Sequence, residues 1–145
     1  ELSGVIFVMG KLHKRMLDIQ FFLVYFTNNK EEQMRKTTVF IDSDCLGRGD
    51  EDLGRALMLA AIKNMPESGM NPSTIILMNN GVKLVAGGSP ALKDLLKLSE
   101  NGCDIISCGT CLDWFEIQGS FAVGRRGTMI EALRLMDNAE HLIKL

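Results

Sequence analysis

The chain has 145 residues, of which 46% are hydrophobic, and a formal net charge of −2. That is enough for one domain with a sizeable core and short for two, and the mixed charges lack the basic field that gives a protein general affinity for nucleic acid. Four cysteines beside nine methionines, with no dense cysteine spacing and no signal peptide, fit the reducing cytoplasm better than a secreted disulfide scaffold, so the thiols are expected to be free.

Residues 1–33 differ from the rest. Val5–Met9 and Ile19–Phe26 are apolar, but each is far shorter than the roughly 20 residues that a membrane-spanning helix needs, so no membrane partner is expected. The polar stretch Asn28–Gln33 then precedes Met34, a candidate native start. Two readings of residues 1–33 stand side by side: a non-native extension, or an added strand or arm that packs on a neighbouring subunit.

From Met34 onward, strands and helices alternate. Thr37–Ile41 is a β-branched, apolar run that ends in the polar loop Asp42–Gly49. Asp50 is placed to cap a helix whose inward face is expected to carry Leu53, Leu57, Ala60, Ala61 and Met65, stopping before Pro66. Thr74–Met78 reads as a second buried strand. Asn80-Gly81 suits a hairpin turn, yet Val82–Ala86 is read as a loop in preference to a paired strand. Ser89-Pro90 opens a leucine-rich helix that Gly102 ends, and Cys103–Ser107 is the third strand. A helix to about Gln118, a fourth strand at Phe121–Val123, a capping box at Thr128–Glu131 with Ile130, Leu133 and Met136 inward, and a fifth strand at His141–Leu145 complete the chain. The pattern predicts an α/β fold: a three-layer α/β/α domain with an open, mainly parallel five-stranded sheet.

In such sheets the loops at the carboxyl ends of the strands form the site. That edge would gather Cys45 and Arg48, then Asn79, Asn80 and Lys83, then Cys108 and Cys111, and finally Arg125 and Arg126. Cys108-Gly-Thr-Cys111 lies between a strand and a helix, where unpaired helix N–H groups and nearby cations favour the nucleophilic thiolate. Lys83 and Arg125 are the expected cations, with Arg126 read as merely solvated. Cys108 is the expected sulfur acceptor, Cys111 its resolving partner and Cys45 an alternative resolving thiol, while Cys103 is read as a buried structural residue. No second cysteine pair, and no histidine near the thiols in sequence, completes a zinc site. Neither a metal nor a cofactor is expected.

Four segments, Asp42-Ser-Asp44, Gly47-Arg-Gly-Asp50, Leu77–Leu84 and Ser107–Asp113, together resemble the DsrE-like domain of the YedF selenium-metabolism proteins over Met34–Leu145. The resemblance implies a compact α/β/α fold, a homo-oligomer, and sulfur or selenium handling with Cys108 or Cys111 as carrier. It also implies donor and acceptor proteins as partners. Longer YedF proteins carry a TusA-like domain with a Cys-Pro-x-Pro motif; residues 1–33 contain none, so a separate TusA-like carrier would have to serve. The residues themselves leave two other readings open: a dithiol–disulfide redox protein, or a non-catalytic assembly subunit.

Overall fold

A computed structural model describes residues 36–145 apart from Gln118 and Ser120. The readings placed on residues 1–33 lie outside this range. Five strands, β1 (Thr37–Ile41), β2 (Thr74–Leu77), β3 (Asp104–Cys108), β4 (Arg125–Gly127) and β5 (His141–Lys144), alternate with four helices, α1 (Glu51–Asn64), α2 (Leu92–Glu100), α3 (Gly109–Trp114) and α4 (Met129–Asp137). All strand pairs are parallel, in the order β4-β3-β2-β1-β5. The expected α/β class and parallel five-stranded sheet are both present.

Register explains how the layers form. Val39, Ile75 and Ile105 stand side by side, as do Phe40, Ile76 and Ile106, and successive side chains point to opposite faces. Val39, Ile41, Ile75, Leu77 and Ile105 join the main core with Met58, Ile62, Leu95 and Leu112 from the helices. Ile76 and Ile106, also buried, belong to the other face. Three steps in one direction from β1 to β4, each a right-handed crossover, place α1, α2 and α3 on the first face; the return to β5 places α4 on the second. Burying each such Ile or Leu contributes about 1.5–3 kcal/mol, which accounts for the apolar central strands.

Local signals account for the helix starts. The Asp50 carboxylate accepts the Leu53 N–H at 2.9 Å, and the Thr128 hydroxyl accepts the Glu131 N–H at 3.2 Å. Ser89 still turns the chain toward α2, its Oγ accepting the Ala91 N–H at 3.3 Å, although α2 itself begins at Leu92.

Several expectations are corrected. Helix α1 buries Gly54, Met58 and Ile62, with Met65 beyond its end, whereas Leu53 and Leu57 are exposed. A Cβ on Gly54 would stand 3.0 Å from that of Cys45, so close packing of the preceding loop fixes the helix's rotation. Helix α4 buries Ala132 and leaves Ile130 and Leu133 outside. Asn79–Val85 is a 3₁₀ turn rather than an irregular loop. Helix α3 stops at Trp114, before a left-handed Glu116. The fourth strand is Arg125–Gly127; Phe121 makes only an isolated antiparallel bridge to Ala86. Among the described residues, no helix is long and apolar enough to cross a membrane.

Candidate functional site: a thiol pair at the end of β3

Cys108 is the last residue of β3 and Cys111 lies in the first turn of α3. Ending a parallel strand and starting a helix within one residue brings both sulfurs to the carboxyl edge of the sheet. Cys108 is only 7% exposed, which corrects the expectation that the loop would present it to solvent. Cys111 is half-buried, and its Sγ accepts the Asn79 backbone N–H at 3.1 Å. Asn79 supplies that donor from a left-handed conformation, which asparagine tolerates better than most residues. The turn that carries it presses Gly81 so tightly on the Ile41 carbonyl that a Cβ there would overlap backbone. The end of β1 thus braces the turn whose first residue holds the sulfur.

Both thiols are free. Burial pushes the Cys111 thiol up, the Asn79 N–H opposes this, and the neighbouring Cys108 adds to the rise.

The two adjacent arginines of β4 have different fates, because strand alternation sends them to opposite faces. Arg125 donates to both oxygens of Asp104, at 3.0 and 2.8 Å, and to Glu131 at 2.6 Å. It is committed to carboxylates, which corrects its expected role as the cation beside the thiols. Arg126 lies against Gly109 instead: a Cβ on that glycine would be 2.7 Å from the guanidinium Nε. Asp113 holds the same guanidinium through bonds of 2.8 and 2.5 Å. The sequence reading placed the fourth strand four residues early and so did not foresee the opposite fates of the two arginines.

Cys45, Arg48, Asn80 and Lys83 are brought together, but in a separate cavity of about 390 Å³ whose walls do not include Cys108 or Cys111. The Cys45 thiol donates to the Glu51 carbonyl at 3.6 Å and lies 3.9 Å from Asp44. Partial burial pushes this thiol up, as do the charges of Asp44 and Glu51, while Arg55 opposes them. Nothing here activates Cys45 as a resolving thiol. Lys83 lies 4.6 Å over the Phe115 ring, which ties it to the end of α3. Cys103, just before β3, is 6% exposed, and burial pushes its thiol up to about 12. That environment fits the inert, structural role expected of it. Among the described residues, no cluster of three or more His, Cys, Asp or Glu could hold a metal ion.

The same fold occurs in solved structures of other proteins. The crystal structure of the ychN protein from E. coli is similar over 77% of this chain and 100% of its own, at 21% identity and a TM-score of 0.54. The MTH1491 protein of Methanobacterium thermoautotrophicum, described as of unknown function, matches 75% of this chain and 97% of its own, at 16% identity and a TM-score of 0.56. The BT1422 protein of Bacteroides thetaiotaomicron, also of unknown function, matches 77% and 98%, at 19% identity and a TM-score of 0.51. These likenesses establish the fold. No protein-family model matches the chain, and comparison with curated proteins gives no match.

Proposed function

We propose that this protein relays sulfur or selenium through the Cys108–Cys111 pair, with Cys111 as the carrier and Cys108 as its partner. The observation that carries this reading is the Cys111 sulfur: half-buried rather than sealed, held by the Asn79 N–H, and three residues from a second free thiol. Exposure reverses the order of the two cysteines expected from sequence. The Cys111 thiolate attacks the outer sulfur of a donor persulfide. A new bond forms to Cys111, the donor's sulfur–sulfur bond breaks, and the donor leaves as a thiolate. No external oxidant is consumed. An acceptor thiolate can then take the outer sulfur by the same exchange. Attack by Cys108 on the Cys111 sulfur would instead release hydrosulfide and leave a Cys108–Cys111 disulfide.

The motifs shared with the DsrE-like domain of YedF proteins support this reading, as does the DsrE/DsrF-like fold. Donor and acceptor proteins are the partners it requires, a TusA-like carrier being one candidate. Homo-oligomer formation belongs to the same proposal, and exposed Leu53, Leu57, Met129, Ile130 and Leu133 offer apolar surface for it.

Intact-mass spectrometry after incubation with a persulfide donor tests the relay. The expected result is a sulfur adduct on the native protein that Cys111→Ser abolishes and Cys108→Ser prolongs. A reversible disulfide formed with mild oxidant, without any sulfur adduct, would favour the dithiol redox reading instead. Two thiols that react with neither reagent would favour an assembly subunit.

A further inference from the structure

The hydrogen bond to Cys111 comes from a stretch of backbone that is held on both sides. Asn79 opens the 3₁₀ turn Asn79–Val85 in the left-handed region, at a φ of 45°, and its N–H reaches the Cys111 Sγ at 3.1 Å. The residue before it is tied to β1, because the Met78 N–H donates to the Ile41 carbonyl at 3.0 Å. Two residues after it, Gly81 lies against the same carbonyl, so closely that a Cβ would overlap it. The Gly81 N–H also returns to the Met78 carbonyl at 2.8 Å. One carbonyl at the end of β1 thereby braces the turn at two points, and the N–H between them is aimed in advance, as a preorganised donor must be.

We infer that the Asn79 backbone N–H stabilises the charge on the Cys111 sulfur in both halves of the relay, and that residue 79 must tolerate the left-handed region for it to do so. This rests on the relay reading and takes its functional meaning from it. In loading, Cys111 attacks the outer sulfur of the donor persulfide as a thiolate, and the N–H favours that ionised form. In unloading, an acceptor thiolate attacks the outer sulfur, the bond from that sulfur to Cys111 breaks, and its electron pair returns to the Cys111 Sγ. The same N–H then meets the leaving thiolate, and a better-stabilised thiolate leaves faster. Because a backbone atom does this, the side chain at 79 matters through conformation: asparagine visits the left-handed region readily, glycine freely, and a β-branched residue only at a cost.

The other groups around Cys111 do not do this work. Burial pushes its thiol up and Cys108, from the end of β3, adds to the rise, whereas the Asn79 N–H opposes both. The nearby cations are engaged elsewhere. Lys83 of the same turn lies over the Phe115 ring, and Arg126 of β4 is bound to Asp113 of α3.

The test is the rate of exchange with a small disulfide reagent across pH, on the full chain carrying Cys45→Ser and Cys108→Ser, which leaves Cys111 and the sealed Cys103. An ester in place of the Met78–Asn79 amide, introduced by semisynthesis, removes the N–H and leaves every side chain as it was. It should move the Cys111 transition upward by roughly half to one pH unit, the scale of one backbone N–H on a charged acceptor. Below the transition the rate should fall about two- to threefold, since the lost thiolate fraction outweighs the gained nucleophilicity; above it the rate should rise by a similar factor. A merely structural change would move both limbs together. Asn79→Gly should leave the profile in place, and Asn79→Val should shift it as the ester does. The ester keeps the inference testable should Asn79→Val fold poorly. An unshifted profile in the ester chain would overturn it, as would an Asn79→Gly shift equal to that of Asn79→Val. No persulfide enters this measurement. A shifted profile without sulfur loading in the wild-type chain would overturn the relay alone, and loading with an unshifted profile would overturn the Asn79 assignment alone.

Discussion

Strand β3 has cysteines at both ends, and the ends differ in what surrounds the sulfur. Cys103 enters the strand sealed in apolar surroundings, with its thiol pushed up to about 12. Cys108 ends it three residues before Cys111, a half-buried thiol that accepts a backbone N–H. Burial alone makes a cysteine inert, as it does any acid whose charged form loses water. Chemistry becomes available where burial is offset by groups that accept the charge. At the carboxyl edge of the sheet the 3₁₀ turn after β2 supplies an N–H to the α3 sulfur, and that edge makes the difference.

The comparison breaks most visibly if the two ends react alike. In the native protein, Cys111 should be alkylated roughly tenfold or more faster than Cys103, as follows from its greater exposure and from the raised Cys103 thiol; peptide mapping after brief treatment with a small alkylating reagent checks this. Equal rates would remove the distinction between the ends.

Two glycines near the site sharpen it next. Gly81→Ala should cost about 1–3 kcal/mol of unfolding free energy, because its Cβ would overlap the Ile41 carbonyl, a backbone group. Gly109→Ala should leave stability unchanged or slightly raised, because its obstacle is the end of an arginine side chain and alanine favours a helix. Urea unfolding of both variants separates them.

Alkali should act on the amino end of β3. The Cys103 thiol is raised in the folded state, so its contribution is complete below the unfolded-state pKa of about 8.5 and is lost as pH rises toward 12. The slope is at most about 1.4 kcal/mol per pH unit for one proton. Cys103→Ala should flatten that alkaline decline in urea midpoints measured across pH.

Acid should act more weakly, and on the other side of the comparison. Arg126 holds the Asp113 carboxyl below its ordinary range, and Arg125 does the same for Glu131. Depressed carboxyl values stabilise the fold above the ordinary range of about 4, and this contribution is lost as pH falls through the folded-state values. Both pairs are substantially exposed, so the change in urea midpoint should be small and should diminish further with salt. Asp113→Asn should remove its share.

Much of this organisation was legible in the residues because the signals are local. β-branched runs mark β1 and β2, while Asp50 and Thr128 cap their helices through their own side chains. The position of Cys108 and Cys111 followed from the strand before them. Strand β4 was illegible because Arg-Arg-Gly has no apolar alternation; its identity depends on pairing with β3. The rotation of α1 depends on Gly54 meeting Cys45, and the place of the Arg126 guanidinium on Gly109 lacking a side chain. Each is a contact between distant segments, which periodicity within one segment does not encode. Cys45 was misjudged for the same reason: only the folded loop shows it beside Asp44 and the Glu51 carbonyl.

The central claim is that sulfur enters at one end of β3 and at one thiol. Loading the native chain with a persulfide donor whose outer sulfur is isotopically labelled, followed by non-reducing peptide mapping of all four cysteines, tests it most directly. The account predicts label on Cys111, none on Cys103 or Cys45, and a longer-lived label on Cys111 in Cys108→Ser. Label on Cys45 or Cys103, or label spread evenly over the four thiols, would contradict it.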